Sequence, residues 1–79
     1  MSYALDVIYK GPPDEKRERR LDDCARSHGG ALEYREVAGS TGRRITLTYE
    51  FATRDEAATA ADCLRRDGEH VEGPMAYAA

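Results

Sequence analysis

The sequence predicts an α+β fold in which a four-stranded antiparallel sheet carries two helices on one face. Three observations predict it. First, residues 44–51 alternate: Ile45, Leu47, Tyr49 and Phe51 are interleaved with Arg44, Thr46, Thr48 and Glu50. Successive strand side chains point to opposite faces, so one face of this strand is apolar and needs a cover. Second, residues 3–9 and 69–77 also alternate, and residues 31–38 do so more weakly. Third, residues 13–28 and 53–67 carry apolar side chains at helical spacing, which supplies the cover. The order is βαββαβ.

In the first strand Tyr3, Leu5, Val7 and Tyr9 share one face, with Ala4, Asp6 and Ile8 on the other. Gly11-Pro12-Pro13 ends it. Proline suits the first turn of a helix, where its missing N–H costs nothing. Asp14 and Glu15 then favour the positive end of the helix dipole. Leu21, Cys24, Ala25 and His28 form the inner stripe of this helix. The charge run 14–20 reads as a solvated face with Glu15 and Arg19 as an i,i+4 pair. Gly29-Gly30 supplies the left-handed end.

Residues 31–38 form the weaker strand, with Leu32 and Tyr34 expected inward. Its charges suit a sheet edge, where they discourage pairing with another chain. Gly39-Ser40-Thr41-Gly42 reads as a hairpin loop into the central strand. Thr53 and Glu56 have the capping-box spacing, and Ala57, Ala60, Ala61 and Leu64 mark the inner face of the second helix. In the last strand Val71, Gly73, Met75 and Tyr77 are expected inward. Pro74 lacks an N–H, so this strand belongs at an edge.

Right-handed crossovers turn this order into a split βαβ pair with strand order 4-1-3-2. Over its whole length, 1–79, the chain resembles a ferredoxin-like single domain. The helix ends echo one another: Asp23-Cys24-x-Arg26-x-x-Gly29 recurs 39 residues later as Asp62-Cys63-x-Arg65-x-x-Gly68. A pseudo-two-fold relation between the halves of this fold accounts for such matching.

Seventy-nine residues bury a thin core and leave little room for a deep pocket. Nothing in the sequence reads as a membrane span or secretion signal, so a cytoplasmic location with reduced thiols is expected. The net charge of −3 is unevenly spread. Residues 1–44 hold nine basic and eight acidic side chains; residues 45–79 hold three and seven. The balances, +1 and −4, argue against non-specific nucleic-acid binding, which needs a basic face, and leave a basic protein surface as the expected partner.

The chemistry-bearing residues form no recognisable catalytic set. Ser2, Ser27 and Ser40 have only two histidines to serve them. Cys24 and His28 are i,i+4, but two ligands are too few for a structural zinc site, and no metal or cofactor is expected. The helices run antiparallel and each cysteine lies about three residues past its helix midpoint, so Cys24 and Cys63 are expected ~9 Å apart along the axis at ~1.5 Å per residue. A disulfide needs Cα atoms within about 7 Å, so two separate thiols acting as small hydrophobes are expected. The run 39–44 lacks the lysine and following helix of a phosphate-binding loop. Arg43 and Arg44 remain as an alternative contact for an acidic or phosphate-bearing partner.

Relatives in fold can be compared residue by residue. RNA-recognition motifs stack bases on outward aromatics of the central strands, where this chain has Asp6, Ile8, Arg44, Thr46, Thr48 and Glu50. Iron–sulfur ferredoxins need four cysteines per cluster. In size, acidity and element order the chain resembles small phage-encoded inhibitors, including anti-CRISPR proteins. That resemblance implies a non-enzymatic inhibitor whose carboxylates stand in for phosphates on the Arg and Lys of a CRISPR effector complex. Asp55, Glu56, Asp67, Glu69 and Glu72, from the acidic half, are the candidate contacts. The alternative reading is a self-assembling structural or regulatory module, a homodimer rather than a monomer, pairing through its polar outer sheet face or an open edge.

Overall fold

Ile45, Leu47, Tyr49 and Phe51 are all buried, so the alternation of their strand does set the inner face of the sheet. The structure, a computed structural model, describes residues 1–40 and 43–77. Its elements in chain order are β1 (Ser2–Lys10), α1 (Glu15–Ser27), β2 (Ala31–Ala38), β3 (Arg44–Phe51), α2 (Arg54–Arg66) and β4 (His70–Tyr77). The strands form one antiparallel sheet in the order β2-β3-β1-β4, which is the expected 4-1-3-2 order read from the other edge. The fold is ferredoxin-like. Of the expected hairpin loop, Thr41 and Gly42 lie outside the described residues.

The core fills the space between the inner sheet face and the helices. Leu5, Val7 and Tyr9 of β1 meet Leu21 and Ala25 of α1 and Ala57, Ala60, Ala61 and Leu64 of α2. The three alanines bring α2 close to the sheet at the cost of little side-chain entropy. Thr53 caps α2 as its sequence pattern predicts: its hydroxyl accepts the Glu56 N–H at 3.2 Å, and its own N–H donates to Glu56 at 3.3 Å. At α1 the cap differs from expectation. Pro13 stays outside the helix, and Asp14 is the N-cap, accepting the Arg17 N–H at 3.0 Å.

Both helices end on the same device. Gly30 N–H donates to Ala25 O and Gly29 N–H to Arg26 O; 39 residues on, Glu69 N–H donates to Leu64 O and Gly68 N–H to Arg65 O. Each pair closes a Schellman motif around a left-handed glycine, Gly29 at φ +87° and Gly68 at φ +91°. The sequence echo therefore corresponds to a repeated backbone structure.

Two bulges alter the outer strands. The register of β2 against β3 shifts between Leu32 and Tyr34, and that of β4 against β1 shifts opposite Ala4 to Asp6. A one-residue slip moves every later side chain to the other face. Tyr34 therefore stands beside Thr48 on the outer face, 58% exposed, and the expected inward placement is corrected. Leu32 keeps its place beside Tyr49. In β4, Val71 faces in beside Val7, but Met75 pairs with Ala4 and Tyr77 with Ser2, both outward. Gly73 and Pro74 take up the extra length, with Gly73 at φ +112°.

Candidate functional site

On the helix side several charges are paired within the molecule. The Arg17 guanidinium lies 4.6 Å from the centroid of the Tyr9 ring and forks onto Glu69, with Nη2 to Oε1 at 2.8 Å and Nε to Oε1 at 3.2 Å. Hydrogen bonding to Glu69 raises the Arg17 pKa further. Next to Arg17 in α1, Glu18 accepts from Arg35 of β2 at 2.7 and 3.0 Å and from the Tyr9 hydroxyl. The Arg35 hydrogen bonds hold the Glu18 carboxyl below its ordinary value against a desolvation that opposes them. Tyr9 is pushed up, first by desolvation and then by Glu18. The second buried tyrosine hydroxyl, Tyr49, donates to Asp22 at 2.7 Å. Thus part of the charge run is a clamp joining α1 to β1, β2 and the start of β4, while Glu15 and Arg19 are exposed and make no ion pair among the described residues.

The outer sheet face has no helix over it. Across its middle, the strand registers align Tyr34, Thr48, Asp6 and Glu72 in one row. Asp6 and Glu72 are directly opposite one another. Thr48 donates to Asp6 at 2.6 Å, and the His70 ring lies 3.5 Å from Glu72. The next rows add Glu36, Thr46, Ile8 and His70 on one side and Glu50, Ala4 and Met75 on the other. Ser2 donates to Glu50 at 2.5 Å. At the hairpin end the face turns basic, where Arg44 pairs with Lys10, and the Gly11 N–H donates to Arg43 O at 2.7 Å.

The five acidic candidates do not form one patch. Glu72 belongs to the outer face, with 57% of its side chain exposed. Asp55 and Glu56 sit at the start of α2 and Asp67 at its end, about 18 Å apart at 1.5 Å per residue. Glu56 is engaged in its capping box, and Glu69, 11% exposed, is held by Arg17. Asp55 and Asp67 are exposed. The alternative candidates, Arg43 and Arg44, are exposed at the basic end of the sheet, and Lys10 joins them there. The sequence reading missed Asp6 as a partner for Glu72. It also missed Tyr34 and Met75 on this face, because bulges of β2 and β4 place them there.

The thiols are unpaired as expected, but they are not separate. Cys24 and Cys63 are both free and half-buried, and their side chains interact across the helix pair. Burial first, then Cys63, pushes the Cys24 thiol up to about 11. His28 turns its Nδ1 to the Cys24 carbonyl oxygen at 2.9 Å rather than to the thiol. Among the described residues no group of three or more His, Cys, Asp or Glu is placed to hold a metal ion, and no helix is long and apolar enough to cross a membrane. Two shallow clefts flank the helix pair, one between Arg20, Leu21, Leu64 and Asp67 and one between His28, Asp55, Glu56 and Thr59. Compared with protein-family models, with curated proteins and with solved structures, the chain gives no significant match.

Proposed function

We propose that the chain is a small non-enzymatic binding protein that docks the uncovered face of its sheet on a basic surface of a nucleic-acid-binding complex. The observation that supports this reading is the Asp6–Glu72 pair. Like charges directly opposite one another across a strand pair destabilise the sheet. Among the described residues Thr48 donates to Asp6, and the His70 ring lies 3.5 Å from Glu72. An arginine or lysine from a partner would relieve that repulsion on binding, and Glu36 and Glu50 extend the acidic field on the same face. The likeness to phage-encoded inhibitors makes a CRISPR effector complex the partner class, with carboxylates in the places of phosphates.

The test is capture from nuclease-treated host lysate on the immobilised chain. A nucleic-acid-binding assembly retained at low salt, released at high salt and lost with Asp6→Asn plus Glu72→Gln is expected. Retention of purified nucleic acid by the immobilised chain, in a parallel assay without nuclease, abolished by Arg43→Ala with Arg44→Ala, would make the hairpin end the site instead.

A second reading is favoured by the charge order of the face. Lys10 and Arg44 lie at one end and Glu50 at the other. Two copies packed face to face and head to tail would therefore match opposite charges. Light scattering separates the readings: a stable dimer that dissociates on Lys10→Glu would show the chain to be its own partner.

A further inference from the structure

We propose that Cys24 and Cys63 form a cross-helix dithiol, a modification site that a low-molecular-weight disulfide closes reversibly into an intramolecular bond. The inference concerns the helix side of the domain and is independent of what the sheet face binds.

The helix pairing brings the two residues together. At one end of the antiparallel pair, Arg20 and Leu21 share a cleft with Leu64 and Asp67. At the other, Ser27, His28 and Gly29 share one with Asp55, Glu56 and Thr59. A Cβ built on Gly29 would come within 2.5 Å of Glu56, which fixes the register there. Cys24 lies midway between Leu21 and Ser27. Its counterpart therefore falls between Thr59 and Leu64, where Cys63 stands. The helices do not cross at their midpoints; each is shifted so that the C-terminal halves overlap.

The internal echo is consistent with this placement. Cys24 and Cys63 are equivalent positions in the two halves, 39 residues apart, as are the two Schellman motifs. A pseudo-two-fold axis between antiparallel helices brings face to face the equivalent pair at the crossing, and the two clefts place that crossing near Cys24 and Cys63. Cys24 packs on the core while both thiols keep partial access to solvent, so a small reagent can reach them.

The chemistry balances within this pair. One protein thiolate attacks a sulfur of the small disulfide and expels a small thiolate, which takes up the proton released. The second protein thiol then attacks the protein sulfur of the mixed disulfide and expels the second small thiol. The protein loses two electrons and two protons, and the small disulfide gains them. Cys24 is packed against the core, so the reagent meets Cys63 first and Cys24 resolves the mixed disulfide.

The experiment is equilibration of the full chain with oxidised and reduced glutathione, followed by acid quenching and intact mass measurement, in buffer and in urea. The folded chain is expected to lose about 2 Da and carry no glutathione, with an effective thiol concentration at least about tenfold above that in urea. Cys24→Ser should stop at a single glutathione adduct on Cys63. Accumulation of glutathione adducts on the folded wild-type chain would overturn the proposal. So would an effective concentration no higher in buffer than in urea. Both readouts come from the wild-type protein, so they stand even where a cysteine variant fails to fold.

Discussion

Glu18 and Arg35 join the first helix to the edge strand: the Arg35 guanidinium forks onto the Glu18 carboxylate at 2.7 and 3.0 Å, with the Tyr9 hydroxyl on the same carboxylate. Glu18 is 17% exposed and Arg35 38%. Solvent screens such a pair from one side, so Glu18→Gln is expected to cost about 1–2 kcal/mol at neutral pH. Its pH dependence has a defined sign. The folded carboxyl titrates below the ordinary value of 4.5. Its contribution is therefore complete above that value and is lost as pH falls through the lower, folded one. Urea unfolding at pH 7 and pH 3 should show the wild type losing stability on acidification and Glu18→Gln losing less.

Gly30 is buried where the chain leaves α1, and a Cβ there would overlap the Phe51 ring. Phe51 is itself 1% exposed and has little room to yield. Gly30→Ala is expected to destabilise the domain by about 1–3 kcal/mol through overpacking. Gly68→Ala meets nothing within 4 Å and pays only for the left-handed backbone, about 1 kcal/mol. Thermal melts of the two variants should keep this order.

The inner sheet face was legible because Ile45, Leu47, Tyr49 and Phe51 alternate without interruption, and alternation is itself the physical cause of a one-sided core. The caps at Thr53 and the glycine pairs were legible because their chemistry is local. The faces of Tyr34, Met75 and Tyr77 were not. A bulge is a property of two strands in register, and no residue within β2 announces it. Gly73-Pro74 in β4 is such a signal, but Pro74 was read as an edge marker and Gly73 as an inward position. The echo around Cys24 and Cys63 was seen, but a crossing at the helix midpoints was assumed, and the cysteines were placed apart. The helix midpoints are related by the same 39-residue repeat, so the residues that share the two clefts, rather than the repeat, locate the crossing. Likewise, Glu69 looked available because its partner Arg17 is 52 residues away.

The corrected face of Tyr34 can be tested against that of Leu47. Leu47 is 1% exposed in the centre of the core, and Leu47→Ala is expected to cost about 2–5 kcal/mol, enough to unfold so small a domain. Tyr34→Ala, on the outer face of an edge strand, should cost less than about 1 kcal/mol. A loss comparable to that of Leu47→Ala would return Tyr34 to the core and remove the bulge.

If the outer face holds a basic partner, stability and binding move in opposite directions there. Asp6 and Glu72 repel across β1 and β4, so Asp6→Asn with Glu72→Gln should raise stability by about 0.2–1 kcal/mol. Asp6 keeps an acceptor for the Thr48 hydroxyl as asparagine, so no hydrogen bond needs to be lost. Added salt should imitate part of this gain in the unmutated chain, because screening shortens the reach of exposed charges to about 8 Å at physiological ionic strength and further above it. If the pair contacts a basic partner, the same double variant and the same salt should weaken association, chiefly by slowing encounter. Charge reversal at Glu72 alone, Glu72→Arg, separates the two effects. It replaces a repulsion with an attraction to Asp6, so the domain should melt higher while a basic partner is lost. A variant that melts higher and still binds would show that the partner reads a different surface.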